Sequence, residues 1–409
     1  MDLPEWLTAG FIEHALKNAD KDSSISVANI EVMMVTSIGD NNNSKMYRVS
    51  FDIIRRELSK TVTKRSSVIV KVARSTQQLQ KELLENLDIF GVEINMMTEV
   101  LKDMESILKN TKLSGRCYFS QQNNPPILVL EDLAPLGFRM ADRQVGVDLD
   151  HCTLVMRNVA KFHASSLLLC ENNFFKKPKV KEFCSKGVFG ENCPPTLREF
   201  ITIGMKAMVK AAKSWPELSR ECIEKLENLQ DSTLFKAFRV LKLREDEFNV
   251  INHGDVWVNN LMFKYGDKGD VIDQIFVDFQ ACFYGTPALD LQYFLHTSPS
   301  EKVMLHHKNF LIKEYQETLF LTMKRIGCKT CTPSFQYIKK ILFDCEIFGF
   351  MIASTCLPIM MANKNYAKEL DDMLDDGEFN AEVYNNENYR VRMVRMLKEW
   401  DDLGVLDGK

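Results

Sequence analysis

The sequence of 409 residues lacks an excess of charge of either sign, with a formal net charge of -4. That gives no global attraction to nucleic acid or to anionic lipid, and a binder of the sugar-phosphate backbone normally shows a basic surplus. No nucleic-acid partner is expected. A long apolar run is also missing. The longest uncharged stretch, Ile347 to Ala362, is shorter than the ~20 residues that span a bilayer, and it contains Gly349 and Pro358. It predicts a buried core helix, bent or ended near Pro358, rather than a membrane span. The N-terminus, Met1 to Trp6, has neither the basic segment nor the apolar core of a secretory signal, so a cytoplasmic protein is expected. The eleven cysteines are an odd, scattered set, and only Cys328 and Cys331 make a C-x-x-C pair. No second pair or neighbouring histidine pair completes a zinc site, so reduced thiols are the expectation. Repeats and low-complexity tracts are absent.

What remains is an ordinary globular mix, 45% hydrophobic and 26% charged, long enough for two domains or one bilobed unit. Tyr47, Val49, Phe51 and Ile53 alternate, as do Val68, Val70 and Val72, and both stretches predict half-buried strands. From Leu79 through Leu83, Leu87, Phe90, Ile94, Met97, Leu101 and Met104 to Leu108, steps of three and four trace one helical stripe, with Gly91 a candidate break. Ile127 to Leu130 reads as a short strand. From Val145 onward the pattern is helical, interrupted by one hairpin, Leu261–Phe263 and Ile275–Val277. The expectation is an α+β, bilobed fold, with a strand-rich lobe over 1–132 and a larger helical lobe over 133–409.

The chemistry concentrates in His253-Gly254-Asp255-Val256-Trp257-Val258-Asn259-Asn260 and in Val277-Asp278-Phe279-Gln280. Phosphoryl transfer needs an acceptor hydroxyl and a phosphate held in line, with charge neutralised by a metal. One carboxylate suffices to take the hydroxyl proton, and an amide oxygen with a second carboxylate suffices to hold Mg²⁺. Asp255 and Asn260 are spaced as in a kinase catalytic loop. Asn260 precedes one hairpin strand and Asp278 ends the other, so an antiparallel pairing brings them side by side. Asp255 is therefore the candidate catalytic base, and Asn260 and Asp278 are the candidate metal ligands. Lys71, in the middle of an apolar strand, is the candidate for the ATP phosphates, paired with Glu93. Glu82, Glu85 and Glu99 compete for that pairing. The loop from Gly39 to Ser44 is placed to cover the phosphates, with Ser44 a donor, although it has one glycine only. Leu130 to Leu133 falls where an inter-lobe hinge would offer backbone groups of Glu131 and Leu133 to adenine. His253 is expected to hold backbone, and His163 to be a buried, hydrogen-bonded core histidine.

Together these pieces resemble the ecdysteroid kinase-like, or CHK-kinase-like, family. That family lies in the choline kinase and aminoglycoside phosphotransferase branch of the protein-kinase fold. The resemblance runs from about Gly39 to Gly408 and is carried by Ser44–Val49, Ile69–Lys71, Phe90–Glu93, Leu130–Leu133, Ala160–Ser166, Asn252–Asn260, Val277–Gln280, Pro287–Leu291 and Leu403–Asp407. The His-Gly-Asp stretch with its tryptophan and double asparagine is the distinctive one. The resemblance implies ATP- and Mg²⁺-dependent phosphorylation of a hydroxyl on a small lipophilic molecule, such as an ecdysteroid or a xenobiotic alcohol, with a link to detoxification. It also implies that Asp290 braces the catalytic loop. Two positions depart from the family pattern, the Asp-Asn-Asn-Asn-Ser phosphate loop and Cys282.

Two other readings stand beside this one. A protein kinase is disfavoured by Gly254 where an arginine is usual, by Gln280 after Asp278-Phe279, and by the short span from Asp278 to Asp290. The other is a catalytically inactive kinase-fold protein that binds a small lipophilic ligand. Tyr293, Phe294, Phe335, Tyr337, Phe343, Phe348 and Phe350 are candidates to line an apolar pocket, most of them being expected in the core.

Overall fold

The alternation around Tyr47 lies within β2 (Ser44–Glu57), and that around Val70 within β3 (Lys60–Ala73). The structure, a computed structural model, describes residues 4–35, 44–57, 60–75, 77–171, 180, 182–362 and 381–407. The loop Gly39 to Asn43 lies outside the described residues. With β1 (Ser26–Met34), β4 (Cys117–Gln121) and β5 (Ile127–Glu131), β2 and β3 form an antiparallel sheet in the order β1-β2-β3-β5-β4. Period-two alternation decides which side chains meet. Tyr47, Val49, Phe51, Val68, Val70 and Val129 pack on one face under α1 (Ala9–Asp20), which begins where the Thr8 hydroxyl accepts from the Phe11 N–H at 3.3 Å. Lys71 points to the other face, opposite Met46 and Leu128, in a central strand and not an edge one.

The helical stripe is real, but its interruption is not at Gly91. The chain runs as α2 (Gln78–Leu87), α3 (Ile89–Asn95), a π-helical turn (Met96–Val100) and α4 (Leu101–Leu108). The break falls at Asp88, which takes the left-handed conformation and accepts from the Gly91 N–H at 3.2 Å. Gly91 is glycine for a different reason: a Cβ there would sit 2.2 Å from the Asp88 carboxylate. Asp88 thus turns the chain and caps the next helix, which a search for helix-breaking glycine overlooks.

The hairpin forms as β8 (Leu261–Tyr265) and β9 (Val271–Phe276), joined on its outer side by β6 (Phe138–Met140). It is not the only β structure after Val145. β7 (Val250–Asn252) and β10 (Phe283–Gly285) also pair antiparallel. Each is only three residues long, below what periodicity detects. The helices are α5 (Leu149–Glu171), α6 (Pro195–Ala212), α7 (Arg220–Leu229), α8 (Thr233–Leu241), α9 (Ala288–Thr297), α10 (Glu301–Ile326), α11 (Phe335–Asp344), α12 (Glu346–Thr355), α13 (Leu357–Met360) and α14 (Glu387–Asp402). The uncharged stretch is therefore two buried helices parted at Cys356, just before Pro358. Among the described residues, no helix is long and apolar enough to cross a membrane. Phe90, Met97 and Met104 share one core with Val155, Val159 and Phe162, so apolar packing continues from α3 and α4 into α5. That continuity fixes where Glu93 stands relative to the catalytic loop.

Candidate active site

Asp290, in the first turn of α9, organises the loop after β7. Its carboxylate accepts from the backbone N–H of His253 at 2.7 Å and of Gly254 at 2.8 Å. It is held from behind by His163, whose Nε2 lies 3.0 Å away while its Nδ1 meets the Tyr315 hydroxyl at 2.9 Å. His163 is thus a buried, hydrogen-bonded histidine. His253 bridges two loops: Nε2 lies 3.1 Å from the Val277 carbonyl, and the Asp255 N–H points at Nδ1 at 3.4 Å. A carbonyl only accepts, so this network assigns the proton to Nε2. Burial lowers the basicity of His253, which keeps the ring neutral in that structural role.

Gly254 joins the same two loops. Its φ is +83°, and a Cβ would fall 2.1 Å from the Ala281 carbonyl oxygen. Gly254→Ala is expected to cost about 2 kcal/mol or more from left-handed strain and overpacking together. A lower melting temperature should accompany lost nucleotide binding. An unchanged melting temperature would show that the loops can part without cost.

Asp255 accepts from Asn260 Nδ2 at 2.7 Å, and also from the Tyr293 hydroxyl and the Trp257 indole. It lines a largely apolar cavity, and its burial pushes its carboxyl up to about 7; the three donors only partly offset it. A proton acceptor works only when ionised. In a kinase, kcat/KM should therefore rise with pH through an apparent pKa near 7, provided Asp255 is that acceptor. A flat profile between pH 5.5 and 8 would remove Asp255 from the proton-accepting role.

Asn260 spends its amide N–H groups on Asp255, reaching its backbone carbonyl at 2.9 Å as well, which leaves the amide oxygen to a cation. The backbone bond from Val277 N–H to the Asn260 carbonyl, 3.0 Å, closes the end of the hairpin and sets Asp278 beside Asn260. No group of three or more His, Cys, Asp or Glu side chains suited to a metal occurs among the described residues. A magnesium ion shared with phosphates needs only one or two protein oxygens, so this donor pair fits that ion.

Lys71 Nζ lies 2.6 Å from Glu93 Oε2 and 2.8 Å from Asp278 Oδ1. Burial disfavours the ammonium, but the two carboxylates outweigh it and hold Lys71 above its ordinary range. Burial pushes Glu93 up to about 7, against the pull of Lys71. The competing glutamates are elsewhere: Glu82 accepts from the Thr196 N–H and hydroxyl at 3.0 and 2.9 Å, Glu85 is exposed, and Glu99 lies within the π-helical turn.

Lys71, Glu93, Asn260 and Asp278 line a cleft of about 840 Å³ between the sheet and the hairpin. Glu131 and Leu133 line its far end. The Glu131 N–H is already given to the Arg116 carbonyl at 2.8 Å, and its carboxylate accepts from Lys112 at 2.6 Å, so neither is left for adenine. Ser44 is buried at the head of β2 opposite Ala73 and is not among the residues lining the cleft. Sequence reasoning passed over Asp132, which accepts from Arg48 at 2.7 Å, Ser67 at 2.8 Å and the Ala134 N–H at 3.1 Å, and so ties the hinge to β2 and β3. Its signal in the sequence was an acidic pair, Glu131-Asp132, inside an otherwise apolar run.

A second cavity, of about 220 Å³, has Asp255 in its wall together with Leu83, Phe189, Phe200, Trp257 and Tyr293. Of the aromatics singled out in the sequence, Tyr293 alone lines it. Phe294 and Phe350 are core, and Phe343 is 52% exposed.

The model of the ecdysteroid kinase-like family matches residues 38–328, from before β2 to the end of α10. The chain belongs to that family. Two solved structures are similar to this family member. An amicoumacin kinase in complex with AMP-PNP, Ca²⁺ and Ami is 14% identical, with 91% of this chain and 88% of that one covered and a TM-score of 0.38. A choline/ethanolamine kinase family protein from Mesorhizobium loti is 9% identical, with 95% and 99% covered and a TM-score of 0.34. No curated protein matches the chain.

Proposed function

We propose that this family member is an ATP- and Mg²⁺-dependent small-molecule kinase that phosphorylates a hydroxyl on a lipophilic substrate, such as an ecdysteroid or a xenobiotic alcohol. One observation carries the reading: the cleft and the apolar cavity meet at Asn260 and Asp278, with Asp255 on the cavity side and Lys71 on the cleft side. In this reading the cleft takes ATP, with Lys71 on its phosphates and Glu93 fixing Lys71. Asn260 and Asp278 hold Mg²⁺, which supplies charge neutralisation for the phosphates when bound. The cavity takes the acceptor, and its apolar wall favours an alcohol with a hydrocarbon body over a strongly charged one. Asp255 orients the hydroxyl and accepts its proton as the oxygen bonds to the γ-phosphorus and ADP leaves.

The deciding experiment is transfer from radiolabelled ATP to a panel of ecdysteroids, choline, ethanolamine and plant or xenobiotic alcohols. Labelled product with the wild type and none with Asp255→Asn is the expected result. Absence of product together with absence of Mg-ATP binding would overturn the kinase in favour of an inactive binder of small lipophilic molecules.

A further inference from the structure

Period-two alternation puts Met46 and Arg48 of β2 and Ile69 and Lys71 of β3 on one face of the sheet, and all four line the cleft. Met46 stands opposite Lys71, and Arg48 stands opposite Ile69. Two residues of strand carry Arg48 about 7 Å along the sheet from Lys71. The direction is toward the hinge, because Ile69 pairs with Leu130 and Val68 with Glu131. Arg48 therefore lies at the end of the cleft away from the proposed phosphate site, with Ile69, Leu130 and Leu133.

Asp132 explains only part of why an arginine is there. Nε of Arg48 donates to Asp132 Oδ2 at 2.7 Å and Nη2 to Oδ1 at 3.3 Å, a two-pronged contact that fixes the plane of the guanidinium. The two partners differ in exposure: the Asp132 side chain is 3% exposed and the Arg48 side chain 34%. Asp132 is filled by its donors, which are Arg48, Ser67 and the Ala134 N–H. Arg48 is not. A guanidinium carries five N–H groups, two are spent on Asp132, and among the described residues no other partner meets it. Neutralising a buried carboxylate does not require the cation to line an open cleft. What this end of the cleft presents is a flat, oriented cation among apolar side chains, a surface on which an aromatic ring stacks.

Resting on the kinase reading, we infer that Arg48 is a base-binding residue: its guanidinium, held flat by Asp132, lies against the purine of the bound nucleotide. Lys71 is placed for the phosphates that every nucleoside triphosphate shares, and Arg48 for the part in which they differ.

The test divides the nucleotide into its two ends. Adenosine, Mg-ATP and Mg-tripolyphosphate would be titrated calorimetrically into the wild type, Arg48→Met, Arg48→Lys and Ser67→Ala, beside their melting temperatures. Adenosine reports the base end and tripolyphosphate the phosphate end. Arg48→Met should weaken adenosine and Mg-ATP by the same factor, about 3–30-fold for a lost cation–π contact, and leave Mg-tripolyphosphate unchanged, with Arg48→Lys in between. Ser67 bonds the same Asp132 carboxylate without lining the cleft, so Ser67→Ala should bind adenosine as the wild type does. If tripolyphosphate binding falls as far as adenosine binding, or if Ser67→Ala costs as much adenosine affinity as Arg48→Met, Arg48 acts through the fold and the inference fails. Unchanged adenosine affinity in Arg48→Met overturns it as well, while the kinase reading stands. Should Arg48→Met fail to fold with Asp132 left without its cation, Arg48→Lys decides, and adenosine affinity equal to that of the wild type overturns the inference. A wild type that binds neither adenosine nor Mg-ATP would overturn the kinase reading itself.

Discussion

Asp255→Asn is expected to lower phosphoryl transfer by about 10²–10⁴-fold, the range contributed by a positioned proton acceptor, while Mg-ATP affinity stays nearly unchanged. Asparagine preserves the shape of the side chain and can still accept from Asn260 and Tyr293, so the loop has no reason to collapse. Stability supplies an independent check. Asp255 in the folded protein titrates near 7, above the value of an unfolded aspartate near 4. A carboxyl raised by folding contributes stability that is fully present below the unfolded value and is lost as pH rises through the folded one. The wild type therefore loses stability between about pH 4 and pH 7 on this account, and a neutral amide at 255 removes that loss. The variant should melt at the same temperature as the wild type or higher at pH 8. An inactive variant that melts higher identifies a functional charge held at the expense of stability. An inactive variant that melts far lower would mean that activity was lost through misfolding. Full activity in the variant would exclude Asp255 as the proton acceptor.

The parts of this arrangement legible in the sequence are those whose signal is local. The alternation in β2 and β3, the spacing of Asp255 and Asn260, and the hairpin that returns Asp278 to Asn260 all follow from strand period and turn chemistry. Lys71 was conspicuous because a lysine rarely sits in an apolar strand. Glu93 was the expected partner of Lys71, and the turn at Asp88 starts the helix that carries it, while Glu82 on α2 is held by Thr196 instead. The strands β7 and β10 escaped notice because three residues carry no period, and they exist by pairing with each other across the chain. The cavity wall was legible only in part: Tyr293 lines it, and Phe294, Phe348 and Phe350 are core, as most of the aromatics were expected to be. Aromatic content marks core and pocket alike, and Phe200 and Trp257 reach the cavity through helix packing and loop geometry that composition does not encode.

Asp278→Asn is the second large effect, and it should appear in binding and not only in turnover. Asp278 holds a left-handed backbone conformation, φ 66°, which asparagine tolerates nearly as well as aspartate and alanine does not. The amide variant therefore removes charge without adding backbone strain. In the wild type the Asp278 carboxylate neutralises Lys71 at 2.8 Å and offers a hard oxygen beside Asn260. Losing it should abolish most of the difference between ATP affinity with and without magnesium, a decline of about 10–100-fold in the magnesium-dependent part, the range seen for weakened metal sites. Metal-free ATP should bind the variant as well as the wild type or better, because a carboxylate no longer competes with phosphate for Lys71 or repels it. Calorimetric titration in EDTA and then in magnesium separates the two effects. Equal magnesium dependence in variant and wild type would exclude Asp278 as a metal ligand, with its ion pair to Lys71 remaining. Weaker binding in EDTA would point instead to a Lys71 side chain that loses its place without Asp278. Removing Glu93 tests that second case directly. Breaking one side of a buried ion pair costs about 3–5 kcal/mol, and Glu93→Gln should then depress metal-free ATP binding while leaving the increment due to magnesium intact.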